Sequence, residues 1–189
     1  LQAVKKYKPR RHLPPKKITV DQVGLEKLLE VASSPLDKFI VIFLSQTGLR
    51  VTEAASLELK DIDLDRRVLI VRLAKWGKSR RVGLTQEAVA AIEDYLAIRP
   101  KSVDTHLFLN RQGKPIDRYG FRIRLEKVGR LAGVAVSPHA LRRAFVTLNA
   151  NKGRPLVMLQ MACGHSDIAT TRSYCLTSED EAIQAMQTW

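Results

Sequence analysis

From Asp117 to Gln187 the chain reads as one helix after another, with glycines between them and no alternating stretch long enough for a strand. The expected spans are Asp117–Leu131, Pro138–Ala150, Pro155–Ala162, Ser166–Tyr174 and Ser178–Gln187, punctuated by Gly133, Gly153 and Gly164. With that much of the chain helical, any sheet must come from the front half and must be small. The clearest strand there is Arg67 to Leu73, which alternates and is rich in Val, Ile and Leu. Arg80 to Leu84 can pair back on it, with Lys75-Trp76-Gly77-Lys78 at or near the turn, and His106 to Leu109 offers a further short strand. The expected fold is therefore mainly α (α+β): a helical domain carrying one small antiparallel β-sheet.

The rest of the front half is helical too. A helix follows Thr19 or Asp21, with Val23, Leu25, Leu28, Leu29 and Val31 apolar. Pro35 opens a buried helix through Phe39, Ile40, Phe43 and Leu44, since proline suits a first helical turn. That helix stops at Thr47-Gly48, a short one restarts over Arg50 to Leu57, and an amphipathic one runs from Thr85 to Ile98. Hydrophobic residues make up 45% of the 189 and aromatics only 6%, so aliphatic side chains are expected to carry the core. No apolar run approaches the ~20 residues of a membrane span, and the polar, basic start is not a signal peptide. The two cysteines, Cys163 and Cys175, cannot build a disulfide framework, which favours a reducing, cytoplasmic setting.

Charge narrows the partners. Lys and Arg number 32 against 19 Asp and Glu, a net charge of +13. Seven of those positive charges lie in a proline-containing arm, residues 1–17, as Lys5, Lys6, Lys8, Arg10, Arg11, Lys16 and Lys17 with no acid among them. Proline at 9, 14 and 15 makes this arm an extended linker rather than a helix. The body stays basic without it. A polyanionic partner is the expectation, nucleic acid ahead of an acidic membrane, although many small proteins are basic for solubility alone.

Three short constellations could do chemistry. In Ser137-Pro138-His139-Ala140-Leu141-Arg142, a capped helix start brings free N–H groups, His139 and the Arg142 fork together, as a phosphate site requires. By itself the signal is weak, and an ordinary capped helix with solvated His and Arg is the better reading. In Thr47-Gly48-Leu49-Arg50-Val51-Thr52-Glu53, Arg50 follows a helix break beside the core, and Glu53 one turn on can orient it or simply pair with it. Gly164-His165-Ser166-Asp167 combines a glycine stop, a histidine and a new N-cap ahead of Tyr174. Cys163, His165 and Cys175 lack zinc-finger spacing, so no metal is expected. No Gly-x-Ser-x-Gly, P-loop or dinucleotide fingerprint occurs, so neither a serine hydrolase nor a nucleotide or redox cofactor is supported.

Taken together, TGLRVTE (47–53), LAKWGKSRRVGL (73–84), SPHALRRAFVT (137–147) and CGHSDIATTRSY (163–174) resemble the catalytic domain of the tyrosine recombinases, the phage integrase, Xer and Cre family. The likeness runs from about Ile18 to Trp189. It implies a domain at 18–189 preceded by a linker at 1–17, with the family's N-terminal core-binding domain absent from this chain. It also implies site-specific cleavage and rejoining of duplex DNA through a 3′-phosphotyrosyl intermediate, with no cofactor. In that reading Arg50 and Arg142 clamp the non-bridging oxygens of the scissile phosphate. His139 assists proton transfer and bonds the phosphate, and His165 bonds a non-bridging oxygen. Lys75, chosen over Lys78, protonates the 5′ leaving oxygen, Tyr174 attacks, and Glu53 supports the arginines.

The arm lysines and arginines, with Lys78, Arg80, Arg81 and Arg143, are the expected DNA contacts. The full-length protein is expected to act as a homo-tetramer on two paired sites, the isolated domain as a monomer. Arg143, Cys163, Gly83 and Ala74-Lys75-Trp76 depart from the family's usual histidine, leucine, proline and Gly-Lys-Gly. None of these changes removes a catalytic group. The rival expectation is a sequence-specific DNA-binding protein that keeps the fold without the chemistry.

Overall fold

The computed structural model of the chain describes residues 19–72 and 79–164. Seven α-helices lie within them: α1 (Gln22–Val31), α2 (Pro35–Thr47), α3 (Val51–Ala55), α4 (Gln86–Ile98), α5 (Arg118–Ala132), α6 (Pro138–Asn151) and α7 (Leu156–Cys163). Three strands, β1 (Ile62–Asp63), β2 (Val68–Arg72) and β3 (Ser79–Gly83), form one antiparallel sheet in the order β1-β2-β3. In the central pair Leu69 faces Val82 and Val71 faces Arg80. The hairpin and the helices agree with expectation to within a few residues. The two-residue β1 was not anticipated, being too short to alternate. The strand expected at His106–Leu109 is instead a pair of isolated bridges, His106 to Glu58 and Leu109 to Pro115. The helices expected at 166–174 and 178–187 lie outside the described residues.

The helix starts are chemically specified. Asp21, Thr85, Asp117 and Ser137 each accept a hydrogen bond from the N–H three residues on, at Gly24, Ala88, Gly120 and Ala140. The most deeply buried helix is α2, which packs against α1, α4, α5 and α6. Ile40, Val41, Phe43 and Leu44 lose all exposure there, as an apolar run with no polar face requires. Aliphatics are the majority of the core, but its centre is aromatic. Phe39 stacks on Tyr95 at 4.4 Å between centroids, and Phe108 meets Phe39, Phe43 and Phe121 at 4.8–5.2 Å. Those few rings join α2, α4, α5 and the loop before α5.

A second, smaller cluster of Phe145, Val146, Leu159 and Cys163 seats α7 on α6. Helix α7 also touches β3. The sheet, α6 and the junction between α2 and α3 thus meet around the end of α7.

Candidate active site

The α2–α3 junction is built on a glycine. Gly48 closes α2 in the left-handed region, with φ of +62°, and its N–H donates to the Leu44 carbonyl. A Cβ there would lie 2.4 Å from Cδ1 of Phe145, so α6 can come this close only over a bare backbone. The close approach has a polar consequence. Arg142, one helical turn before Phe145, donates from Nη1 to the Gly48 carbonyl at 2.7 Å and from Nη2 to the Cys163 carbonyl at 2.7 Å. Its side chain is buried, and burial lowers its pKa from the ordinary arginine value. A guanidinium starts so high that it stays charged regardless.

Arg50 is the N-cap residue of α3. Its backbone N–H donates to Glu53 Oε2 at 2.8 Å, while Nη1 donates to Glu53 Oε1 at 3.0 Å. Nη2 reaches the Gly164 carbonyl at 3.1 Å. The Arg50 side chain keeps 45% of its exposure, so it is half-buried beside the core and held by its glutamate partner. Glu53 is buried and ionised. Burial pushes its pKa up, but hydrogen bonds from Arg80 and the Arg50 backbone, with the nearby positive charge, outweigh that and hold it below the ordinary value.

Arg80 corrects the expectation for the hairpin. It was grouped with the DNA contacts, yet its guanidinium turns inward and grips Glu53 with two parallel bonds, Nη1 to Oε1 and Nη2 to Oε2, both 2.8 Å. Its Nε donates to the Ala162 carbonyl at 3.1 Å. The signal was available in the strand period: Val82 faces the core, so Arg80 two residues earlier faces it too, and Arg81 faces out. Arg143, also among the expected DNA contacts, is buried and has an interaction partner.

Three arginines therefore hold three successive carbonyls at the end of α7: Arg80 on Ala162, Arg142 on Cys163 and Arg50 on Gly164. Gly164 caps the helix in the left-handed region, with φ of +63°, and a Cβ on it would come within 2.9 Å of the Arg80 guanidinium. His165 is next in sequence. His139 lies exposed in the first turn of α6 and has an interaction partner. The structure thus brings Arg50, Glu53 and Arg142 together, with Arg80 added. Lys75, Lys78, His165, Tyr174 and the arm residues from Lys5 to Lys17 lie outside the described residues. Cys163 is buried, which raises its thiol pKa, and it behaves as a packing residue. Among the described residues no three His, Cys, Asp or Glu side chains are grouped to hold a metal ion, and no helix is long and apolar enough to cross a membrane.

The site can present guanidinium N–H groups from two separate elements to one anion. Arg50 and Arg142 each spend two nitrogens on the protein, and their remaining N–H groups have no acceptor among the described residues. Two planar forks anchored in this way suit a tetrahedral phosphoryl group.

Comparison with known proteins gives these features a family. Residues 18–181 match the phage integrase family. The chain is 31% identical over 176 residues to tyrosine recombinase XerA of Pyrococcus horikoshii, covering 92% of this chain and 61% of that protein. It is 36% identical over 183 residues to tyrosine recombinase XerC of Herpetosiphon aurantiacus, covering 90% and 58%. A crystal structure of XerA recombinase superposes with a TM-score of 0.82 at 29% identity, over 93% of this chain and 65% of that one. The chain thus spans about six-tenths of the length of the curated relatives it matches. With the motifs, the fold and these likenesses in agreement, the chain belongs to the phage integrase family and has the fold of a tyrosine recombinase catalytic domain.

Proposed function

We propose that this chain is the catalytic domain of a site-specific recombinase that cuts and rejoins duplex DNA by transesterification. One observation supports this above others: Arg50 and Arg142, far apart in sequence, are both anchored on the last carbonyls of α7, immediately before His165. Phosphodiester transfer needs positive charge on the non-bridging oxygens, an in-line nucleophile and a proton for the leaving group. Arg50 and Arg142 supply the charge, and His139 and His165 further donors. Tyr174 attacks phosphorus to form the 3′-phosphotyrosyl ester as the bond to the 5′ oxygen breaks, and Lys75 gives that oxygen its proton. The ester conserves the bond for rejoining, so the cycle needs no ATP, and the arginines meet the charge demand without a metal ion. The basic arm at 1–17 tracks the DNA backbone. The full-length protein works in the cytoplasm as a tetramer on two paired sites.

A nicked suicide substrate carrying the cognate site tests the reading, because the short 5′-hydroxyl fragment escapes and traps the adduct. The chain should become joined to the DNA 3′ end through Tyr174, in EDTA as in its absence. Tyr174→Phe should bind the same DNA with unchanged affinity and form no adduct. Mass spectrometry placing the DNA on another residue refutes the assignment. Tight, site-specific binding with no adduct from the wild-type chain would establish the rival reading, a DNA-binding relative without catalysis.

A further inference from the structure

We propose that Arg80 is a positioning residue for the strand-transfer reaction: it holds Glu53 and the last turn of α7, and through them fixes Arg50 for the phosphate. The inference rests on the reading of Arg50 as a phosphate ligand, and goes beyond it by giving the hairpin strand a part in the arginine layer. Three distances carry it. Arg80 meets both oxygens of Glu53 at 2.8 Å, and its third donor, Nε, meets the Ala162 carbonyl at 3.1 Å. All three contacts are made by a side chain with only 13% exposure, on the inward face of β3.

Glu53 is shared. Oε1 accepts from Arg50 Nη1 and Arg80 Nη1, and Oε2 accepts from the Arg50 backbone and Arg80 Nη2. A carboxylate paired with Arg50 alone would cancel that arginine's charge and could rotate toward it. Gripped from behind by Arg80, it stays in one orientation and accepts from Arg50 without being neutralised by it alone. The cluster of Arg50, Arg80, Arg142 and Glu53 keeps two net positive charges. That excess suits the second negative charge that develops as the phosphodiester becomes five-coordinate. Lysine cannot substitute here, because one ammonium cannot span two carboxylate oxygens and a carbonyl with fixed geometry. The strand bearing Arg80 also borders the segment that holds Lys75, so the same side chain ties that hairpin to the arginine layer.

The test is single-turnover cleavage of the suicide substrate at saturating DNA, with DNA affinity and thermal unfolding measured on the same variants. Arg80→Met should slow the chemical step by about 10²-fold, the size expected when a remote change displaces a reacting group by roughly 1 Å. The DNA Kd should stay within about twofold, because Arg80 is turned away from solvent. Arg80→Lys should recover only part of the rate. In a Glu53→Gln background, adding Arg80→Met should cost clearly less than its wild-type penalty of about 10²-fold, since the carboxylate route to Arg50 is already weakened and only the hold on the Ala162 carbonyl is left to lose. That double variant replaces a buried ion pair by a neutral pair of similar size, so it tests the coupling even if Arg80→Met alone folds poorly. A methylphosphonate at the scissile position, which removes one anionic oxygen, should shrink the Arg80→Met penalty. Arg80→Met cleaving at the wild-type rate, or losses in the two variants that simply multiply, overturns the proposal. No adduct from the wild-type chain overturns both this proposal and the functional reading beneath it.

Discussion

Replacing Gly48 by alanine puts a methyl group where the structure has no room and a side chain where the backbone disfavours one. The φ of +62° costs an L-residue about 1–2 kcal/mol. The new Cβ would lie 2.4 Å from Phe145 Cδ1 and 2.9 Å from Cε1 and Cγ, so it meets the ring broadside. Phe145 sits in the small cluster under α7 and cannot swing away freely. Overpacking of this kind costs about 1–3 kcal/mol. The sum, about 2–5 kcal/mol, is a large share of the ~5–15 kcal/mol that holds a domain folded. Urea unfolding of wild type and Gly48→Ala gives the total. Repeating it in a Phe145→Ala background separates the parts, for there the methyl enters vacated space and only the backbone cost of about 1–2 kcal/mol should remain. Cleavage should fall further than stability requires, because any shift of α6 lengthens the 2.7 Å bond from Arg142 to the Gly48 carbonyl. A Gly48→Ala protein within about 0.5 kcal/mol of wild type, or a penalty unchanged without the Phe145 ring, refutes the steric account.

Glu53 should make stability depend on acid. Its folded pKa lies below the ordinary value of about 4.3, so its contribution is complete above roughly pH 5 and fades as pH falls through the depressed value. The advantage of wild type over Glu53→Gln in urea unfolding, about 1–3 kcal/mol at neutral pH, should therefore shrink at pH 3; an advantage constant across that range contradicts the ionised state. Duplex DNA affinity should fall steeply with salt, by a slope of about 0.9 for each phosphate contact, and removing residues 1–17 should flatten it. An unchanged slope would mean that the arm does not touch DNA.

Local chemistry was the readable part of this chain. Ser137 and Pro138 specify a helix start, and α6 begins there with the Ser137 hydroxyl accepting from the Ala140 N–H. The apolar run at Phe39–Leu44 called for a buried helix, and α2 is buried along most of its length, with Lys38 left exposed. The capping glutamate of α3 was visible as the residue one turn after Arg50. The partners of the arginines escaped reading, although the strand period alone turns Arg80 inward. Arg80, Arg81 and Arg143 look alike in a basic chain, but only Arg81 is exposed. Whether a guanidinium is buried depends on acceptors contributed by remote segments, here the carboxylate at 53 and the carbonyl at 162, and neither is coded near position 80. The aromatic centre was missed for a related reason: five rings dispersed through 83 residues look sparse until the helices bring them into contact.

The bond from Arg50 to the Gly164 carbonyl spans 114 residues of chain, and that from Arg142 to the Gly48 carbonyl spans 94. A ribosome adding about 5–20 residues per second needs on the order of ten seconds to make the later partner after the earlier one has emerged. Through that interval Arg50 can meet Glu53, but neither Arg80's second acceptor nor the end of α7 exists. The loops that close on the arginine layer are among the longest in the chain, and their entropy is recovered only when the last turn of α7 docks. A chain that stops short of α7 consequently can pair Arg50 with Glu53 but lacks the carbonyls on which the three arginines are anchored. Placing these acceptors late in the polypeptide makes the last turn of α7 a condition for the assembled arginine layer.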